Sequence, residues 1–370
     1  MIYYWVLFSL PVVGLLSPVY LSSRLRLFTL TVLMMVAILL IGFRHEIGGD
    51  WLNYLDKYQR IYDEGIDIAL KERSKGYGLV NWLSAQFSWG IYGVNVICGT
   101  IFISGLAFFC SRQPLPWLAW VVAIPYLVIV VGMGYTSQSV AVGLVLCGLV
   151  FLEDRRPWQF VAAVVAASVF HISAILALPL VVFGVHRNLF RFFIKKRITS
   201  LAVLVLVGLV VTAIFSFMLY DDMRLLYNRY VERGQWDSSG AYIRSTMNAM
   251  PALILLLFFK RFNKSFRVAL YWYPIAGIAL LGPVAAIMAT TAVDRISIYL
   301  MAVQMYVWSR APLLTNDRNL SAAITVGITF FYGLVLWVWL NYANHNYAWV
   351  PYSTILLQDF QQSYCGFRFR

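Results

Sequence analysis

The chain has 370 residues, of which 61% are hydrophobic and only 12% charged, and its mean hydropathy is +0.74. A water-soluble globule averages about 25% charged residues, so the composition excludes a disordered chain, a nucleic-acid-binding domain and a soluble α/β enzyme. The net charge of +13 becomes informative once its placement along the chain is mapped.

Apolar runs that meet or approach the roughly 20 residues needed to cross hydrocarbon cover 2–19, 27–43, 91–110, 117–134, 138–152, 198–220, 240–259, 268–289, 290–309 and 320–340. The first has no basic residue before it and no small-residue cleavage site, and reads as a retained helix. Arg24 and Arg26 follow it, which places that loop inside and the N-terminus outside. Alternating from there, the inner segments hold 16 basic residues against Glu153, Asp154 and Asp317, and the outer ones hold 13 of each sign. The whole excess therefore lies on one face.

One further apolar run, 159–185, is flanked by Arg155-Arg156 and by the basic stretch 186–197. Both flanks belong inside, and the run is too short for two full crossings. A broken, re-entrant helix pair is expected, interrupted near Phe170-His171; a single long helix with the basic stretch outside is the alternative. The outer segments are then 44–90, with amphipathic helices suggested by Trp51, Leu52, Leu55, Tyr58 and Tyr62, the turn at 135–137, the loop 221–239, a connection near Asp294 and the tail 341–370. No internal repeat is visible, so 1–370 reads as one membrane domain with both termini outside. Cys98, Cys110 and Cys147 lie in apolar runs and Cys365 in the tail, which is no disulfide framework.

Ionisable residues within spans are costly and mark function by default. Arg44 closes the second span, Arg244 lies four residues into a later one, Asp294-Arg295 opens another, and His171 lies in the broken segment. For each arginine the plain alternative is snorkelling to headgroups; for His171 it is a core imidazole bonded to a carbonyl. Three outward sites beside Asp50 and the polar turn Tyr135–Gln138 favour a shared anion site, because guanidinium binds phosphate through paired hydrogen bonds. Outer aromatics (Trp51, Tyr54, Trp82, Trp236, Trp349, Tyr352) suit an interfacial belt or sugar stacking. His45, His171, His186 and His345 are scattered, with no metal-ligand spacing. There is also no P-loop, dinucleotide fingerprint or nucleophile elbow, so neither metal nor cofactor is expected.

Several elements, in order, resemble those of the EpsG family of Wzy-like polysaccharide polymerases. Arg44-x3-Gly48-x-Asp50-x3-Tyr54 is similar to its element after the second span, and Ser137-Gln138-x-x-Ala141 to its Arg-Gln-x-x-Ala turn. Phe170-His171-x-Ser173, Gly240-x3-Arg244, Arg295-x3-Tyr299 and Trp349-x-Pro351-Tyr352 follow, while Glu72 with Gly76-Tyr77 fits only loosely. The chain departs from the pattern at Ser137, where the family has arginine. The resemblance implies an all-α, polytopic, GT-C-like membrane glycosyltransferase of about ten spans plus the re-entrant pair, in a bacterial inner membrane. It would move a growing glycan from undecaprenyl diphosphate to a lipid-linked repeat unit on the periplasmic face, with a chain-length regulator as a further protein partner. Asp50 or His171 would serve as base, and Arg44, Arg244 and Arg295 would hold the diphosphate. Gln138, Tyr54, Tyr299 and Tyr352 would contact glycan. An O-antigen ligase shares this chemistry; a flippase of lipid-linked sugars or a membrane O-acyltransferase are the more distant readings.

Overall fold

The computed structural model describes residues 1–17, 23–185, 239–288 and 290–357, and their regular structure is helical. The expected span 198–220, the basic stretch 186–197, most of the loop 221–239 and the tail beyond 357 lie outside the described residues. Two compact units form: Met1–Leu144 with Val169–His171 and Trp308–Arg370, and Val145–Ser168 with Ile172–Val307. Among the described residues, five helices are long and apolar enough to cross a membrane, or six if the bent pair 240–257 and 259–266 is one span. This is fewer than the ten expected. One run lies outside the described residues, the first helix has 15 residues, and the helix Thr290–Trp308 carries Asp294 and Arg295 in a polar opening.

The first unit begins with α1 (Ile2–Leu16) and α2 (Ser23–Gly42). Three short helices follow, α3 (Trp51–Glu64), α4 (Ile66–Lys71) and α5 (Lys75–Gln86), then α6 (Gly90–Ser111). α7 (Pro116–Ala123) runs into a π-helix, Ile124–Val131, and a short turn α8 (Gly132–Gly134). This span is buried along nearly its whole length. α9 (Thr136–Glu153) follows at once, and the helix Arg318–Tyr342 closes the unit, with Asp317 capping two of its first amides.

Close helix crossings bring the carboxyl end of α2 to its place. A Cβ on Gly42 would lie 2.4 Å from Val96 of α6, and one on Gly105 would lie 2.2 Å from the Gly143 carbonyl. In lipid, where apolar side chains gain little by leaving the solvent, such small-residue contacts are what lets helices associate. The segment 44–90 forms three short helices before α6, and the expected stripe on the first of them divides. Trp51, Tyr58 and Ile61 of α3 are buried, whereas Leu52, Leu55 and Tyr62 are exposed. α4 is clasped between its neighbours: a Cβ on Gly78 would lie 2.2 Å from the Ala69 carbonyl. The Glu72 carboxylate, almost fully buried, takes Lys57 Nζ at 2.8 Å and also Arg60. Because both cations reach solvent, the pairing is screened. Glu72→Ala is expected to lower stability by only about 1–2 kcal/mol, read as an earlier thermal unfolding; an unchanged midpoint would show that the pairing carries no weight.

In the second unit the helix Ser239–Leu257 lies along Trp272–Met288. A polar ladder joins it to Thr290–Trp308: Asn248 Nδ2 donates to the Ser297 carbonyl at 2.9 Å and Gln304 Nε2 to Asn248 Oδ1 at 2.6 Å. The broken segment is broken where expected. α10 (Pro157–Phe170) ends at His171, and a 3-10 helix, Ile172–Leu180, continues.

Candidate functional site

Arg44 follows the end of α2 and is the centre of the site in the first unit. Its backbone forms an isolated antiparallel bridge with Thr354. The guanidinium turns back over the helix end: Nη1 donates to the Ile41 carbonyl, one of the terminal acceptors a helix leaves unfilled, and Nη2 donates to Thr136 Oγ1 at 2.7 Å. Arg44 is 1% exposed. Among the described residues its Nε has no hydrogen-bond partner, and no carboxylate lies in ion-pair range of the guanidinium. Burial lowers its pKa, and the nearby phenols, Tyr77 first and then Tyr54, oppose the shift.

Those two phenols stand together, ring centroids 5.3 Å apart. Tyr77 is 1% exposed, and among the described residues its hydroxyl has no partner in hydrogen-bond geometry, with Asn81 adjoining. Burial raises the pKa of both, so each keeps its proton at neutral pH and has an O–H to offer. The amino end of α9 closes the cluster. Thr136 holds Arg44, and the Ser137 amide, a first-turn N–H without a helical acceptor, adjoins the Tyr54 oxygen. Gln138 follows, buried. The Ser137 hydroxyl donates to the Phe170 carbonyl at 2.6 Å. This serine thus ties the α9 start to the end of α10.

Gly48 and Asp50 lie on the loop after Arg44. Gly48 has φ +104°, and a Cβ there would lie 2.6 Å from the Met133 carbonyl; both facts require glycine. Asp50 caps the start of α3 in position only, with Asn53 Nδ2 at 3.2 Å from Oδ1, and it makes no ion pair with Arg44. His171 is half-buried at the helix break.

A strap from the chain's last described segment fixes this loop. The amides of His45 and Gly48 donate to the carbonyls of Ser353 (3.0 Å) and Ala348 (2.8 Å), and the Ile355 amide to Phe43 (3.1 Å). Tyr352 donates its hydroxyl to the Leu40 carbonyl at 2.9 Å, and the Trp349 indole N–H to Ile129 in the π-helix at 3.0 Å. Tyr352, expected at the glycan, therefore has its hydroxyl proton committed to the backbone.

The remaining expected residues belong to the second unit. Arg244 Nε donates to Asp294 Oδ1, both side chains 16% exposed. Gly240 leaves room for the guanidinium, since a Cβ would lie 2.5 Å from Nη1. Arg295 is exposed. Ser173 donates to the Tyr299 hydroxyl at 3.1 Å, so two of the sequence elements meet there. Sequence reasoning missed Tyr77 as a site residue and had Thr136 only as part of the polar turn 135–138. The loose Gly76-Tyr77 match was the only signal for the first.

Set against known proteins, residues 3–354 match the EpsG family. No curated protein and no solved structure matches the chain.

Proposed function

The chain belongs to the EpsG family, and on that premise we propose that it is a polysaccharide polymerase of the membrane. It transfers a growing glycan from undecaprenyl diphosphate to a lipid-linked repeat unit at the periplasmic face of a bacterial inner membrane. The observation that carries this reading is the buried Arg44: a cation enclosed by protein, with no acid among the described residues to balance it and its Nε–H unfilled there. A buried charge without a counter-ion is costly, and an anionic oxygen of the substrate supplies the missing partner. The surroundings suit the same ligand, since Tyr77 offers a phenolic proton and the α9 amino end a favourable dipole.

In the reaction the acceptor hydroxyl attacks the anomeric carbon, the bond from that carbon to the diphosphate oxygen breaks, and the acceptor proton passes to a base. Asp50 or His171 takes that proton; the imidazole has the more suitable ordinary pKa. Negative charge develops on the departing diphosphate. Arg44 and Tyr77 stabilise it as donors already in place, in a site sheltered from water.

The test is turnover by the purified protein, reconstituted in vesicles, on a defined lipid-linked repeat unit. The wild type is expected to give a ladder of lengthening products, and Tyr77→Phe about 10-fold less at unchanged thermal stability. Absence of any glycan transfer by the wild type, with movement of the lipid-linked sugar across the bilayer instead, would replace the polymerase by a transporter.

A further inference from the structure

We infer that the elbow after the helix Ser239–Leu257 is a docking surface for anionic lipid headgroups. The chain turns by 79° at Phe258 and continues as a separate helix, Phe259–Phe266. A short helix that leaves an apolar one at nearly a right angle is placed to run along a membrane plane. Its residues are sorted for that position. Phe259, Phe262 and Phe266 recur at helical spacing on one side, with Phe262 buried and Phe258 and Phe259 each about half exposed. Lys260, Arg261, Lys264 and Arg267 are all exposed.

Charge selects the occupant. From Ser239 to Val293 the sequence contains no aspartate or glutamate, and among the described residues none of these four cations has a carboxylate within ion-pair distance. Lys260 and Arg261 lie over the rings of Phe259 and Phe258 at 6.0 and 5.9 Å. Aromatic rings at that depth hold the ammonium and guanidinium at the level of the headgroups. Four cations spaced along an in-plane helix match the phosphates of an anionic leaflet. The surface lies at the inner, basic end of its span and is independent of the polymerase reading.

The experiment compares the full-length protein in nanodiscs of phosphatidylcholine with nanodiscs containing phosphatidylglycerol of the same acyl chains. For the wild type the anionic lipid is expected to raise the thermal midpoint, to slow exchange of the backbone amides in 258–267, and to lose both effects in high salt. The variant Lys260→Gln/Arg261→Gln/Lys264→Gln should lose more than half of both effects, while Arg261→Lys/Arg267→Lys, which keeps the charge, should retain them. Inorganic phosphate added to phosphatidylcholine discs should reproduce neither. A wild type indifferent to lipid charge, a triple glutamine variant that responds in full, or a response to free phosphate would each overturn the assignment.

Discussion

Replacing Arg44 with glutamine is expected to cut polymer formation by about 10²–10³-fold while leaving the protein as heat-stable as before, or more so. The two effects point in opposite directions for one physical reason. A guanidinium 1% exposed and without a carboxylate partner among the described residues has lost its hydration and gained there the Ile41 carbonyl and the Thr136 hydroxyl. Glutamine removes the charge and so the desolvation cost, and its amide retains one donor for the α2 end. A residue kept for stability alone would show the reverse. Arg44→Lys separates charge from geometry: an ammonium keeps the cation but lacks the planar fork that reaches two acceptors and a ligand at once, so an intermediate rate is expected. Rates and thermal midpoints are read in the same vesicles. Normal rates in the glutamine variant, or a midpoint that falls together with activity, would remove Arg44 from the chemistry.

The parts legible in the sequence are those fixed by neighbours along the chain. The break at His171 could be read because basic flanks on both sides leave the apolar run between them too few residues, and the helix does stop there. The loop Arg44–Tyr54 could be read because Gly48 marks a backbone that only glycine adopts easily, and φ is +104°. Tertiary partners were not legible. On α3 two overlapping stripes, 51-54-58-61 and 52-55-59-62, have the same helical spacing, and only packing decides that Trp51 and Tyr58 face inward. Tyr77 lies 33 residues beyond Arg44 in sequence, and nothing local to either announces that the two stand close. Tyr352 is expected at the glycan through its place in the Trp349-x-Pro351-Tyr352 element; the strap gives it Leu40, which is 312 residues away. Asp294, likewise, was read as a neighbour of Arg295, and its pairing with Arg244 spans 50 residues.

That pairing changes what substitution at Arg244 should do. From sequence alone Arg244→Ala would be expected to end chain growth in an intact fold. With Asp294 opposite, 16% exposed, the alanine leaves a largely buried carboxylate without its counter-ion. Breaking a buried pair from one side costs about 3–5 kcal/mol, so the single variant is expected to be poorly folded in membranes, and its inactivity would say nothing about substrate. The double variant Arg244→Gln/Asp294→Asn removes both charges and keeps a hydrogen bond between amides, so most of the lost stability should return. Activity then reports on contact. If Arg244 reaches the diphosphate as well as Asp294, the refolded double variant remains at least about 10²-fold slower than the wild type. If the pair only joins the helices Ser239–Leu257 and Thr290–Trp308, turnover recovers with the thermal midpoint, and the arginine is a structural cation.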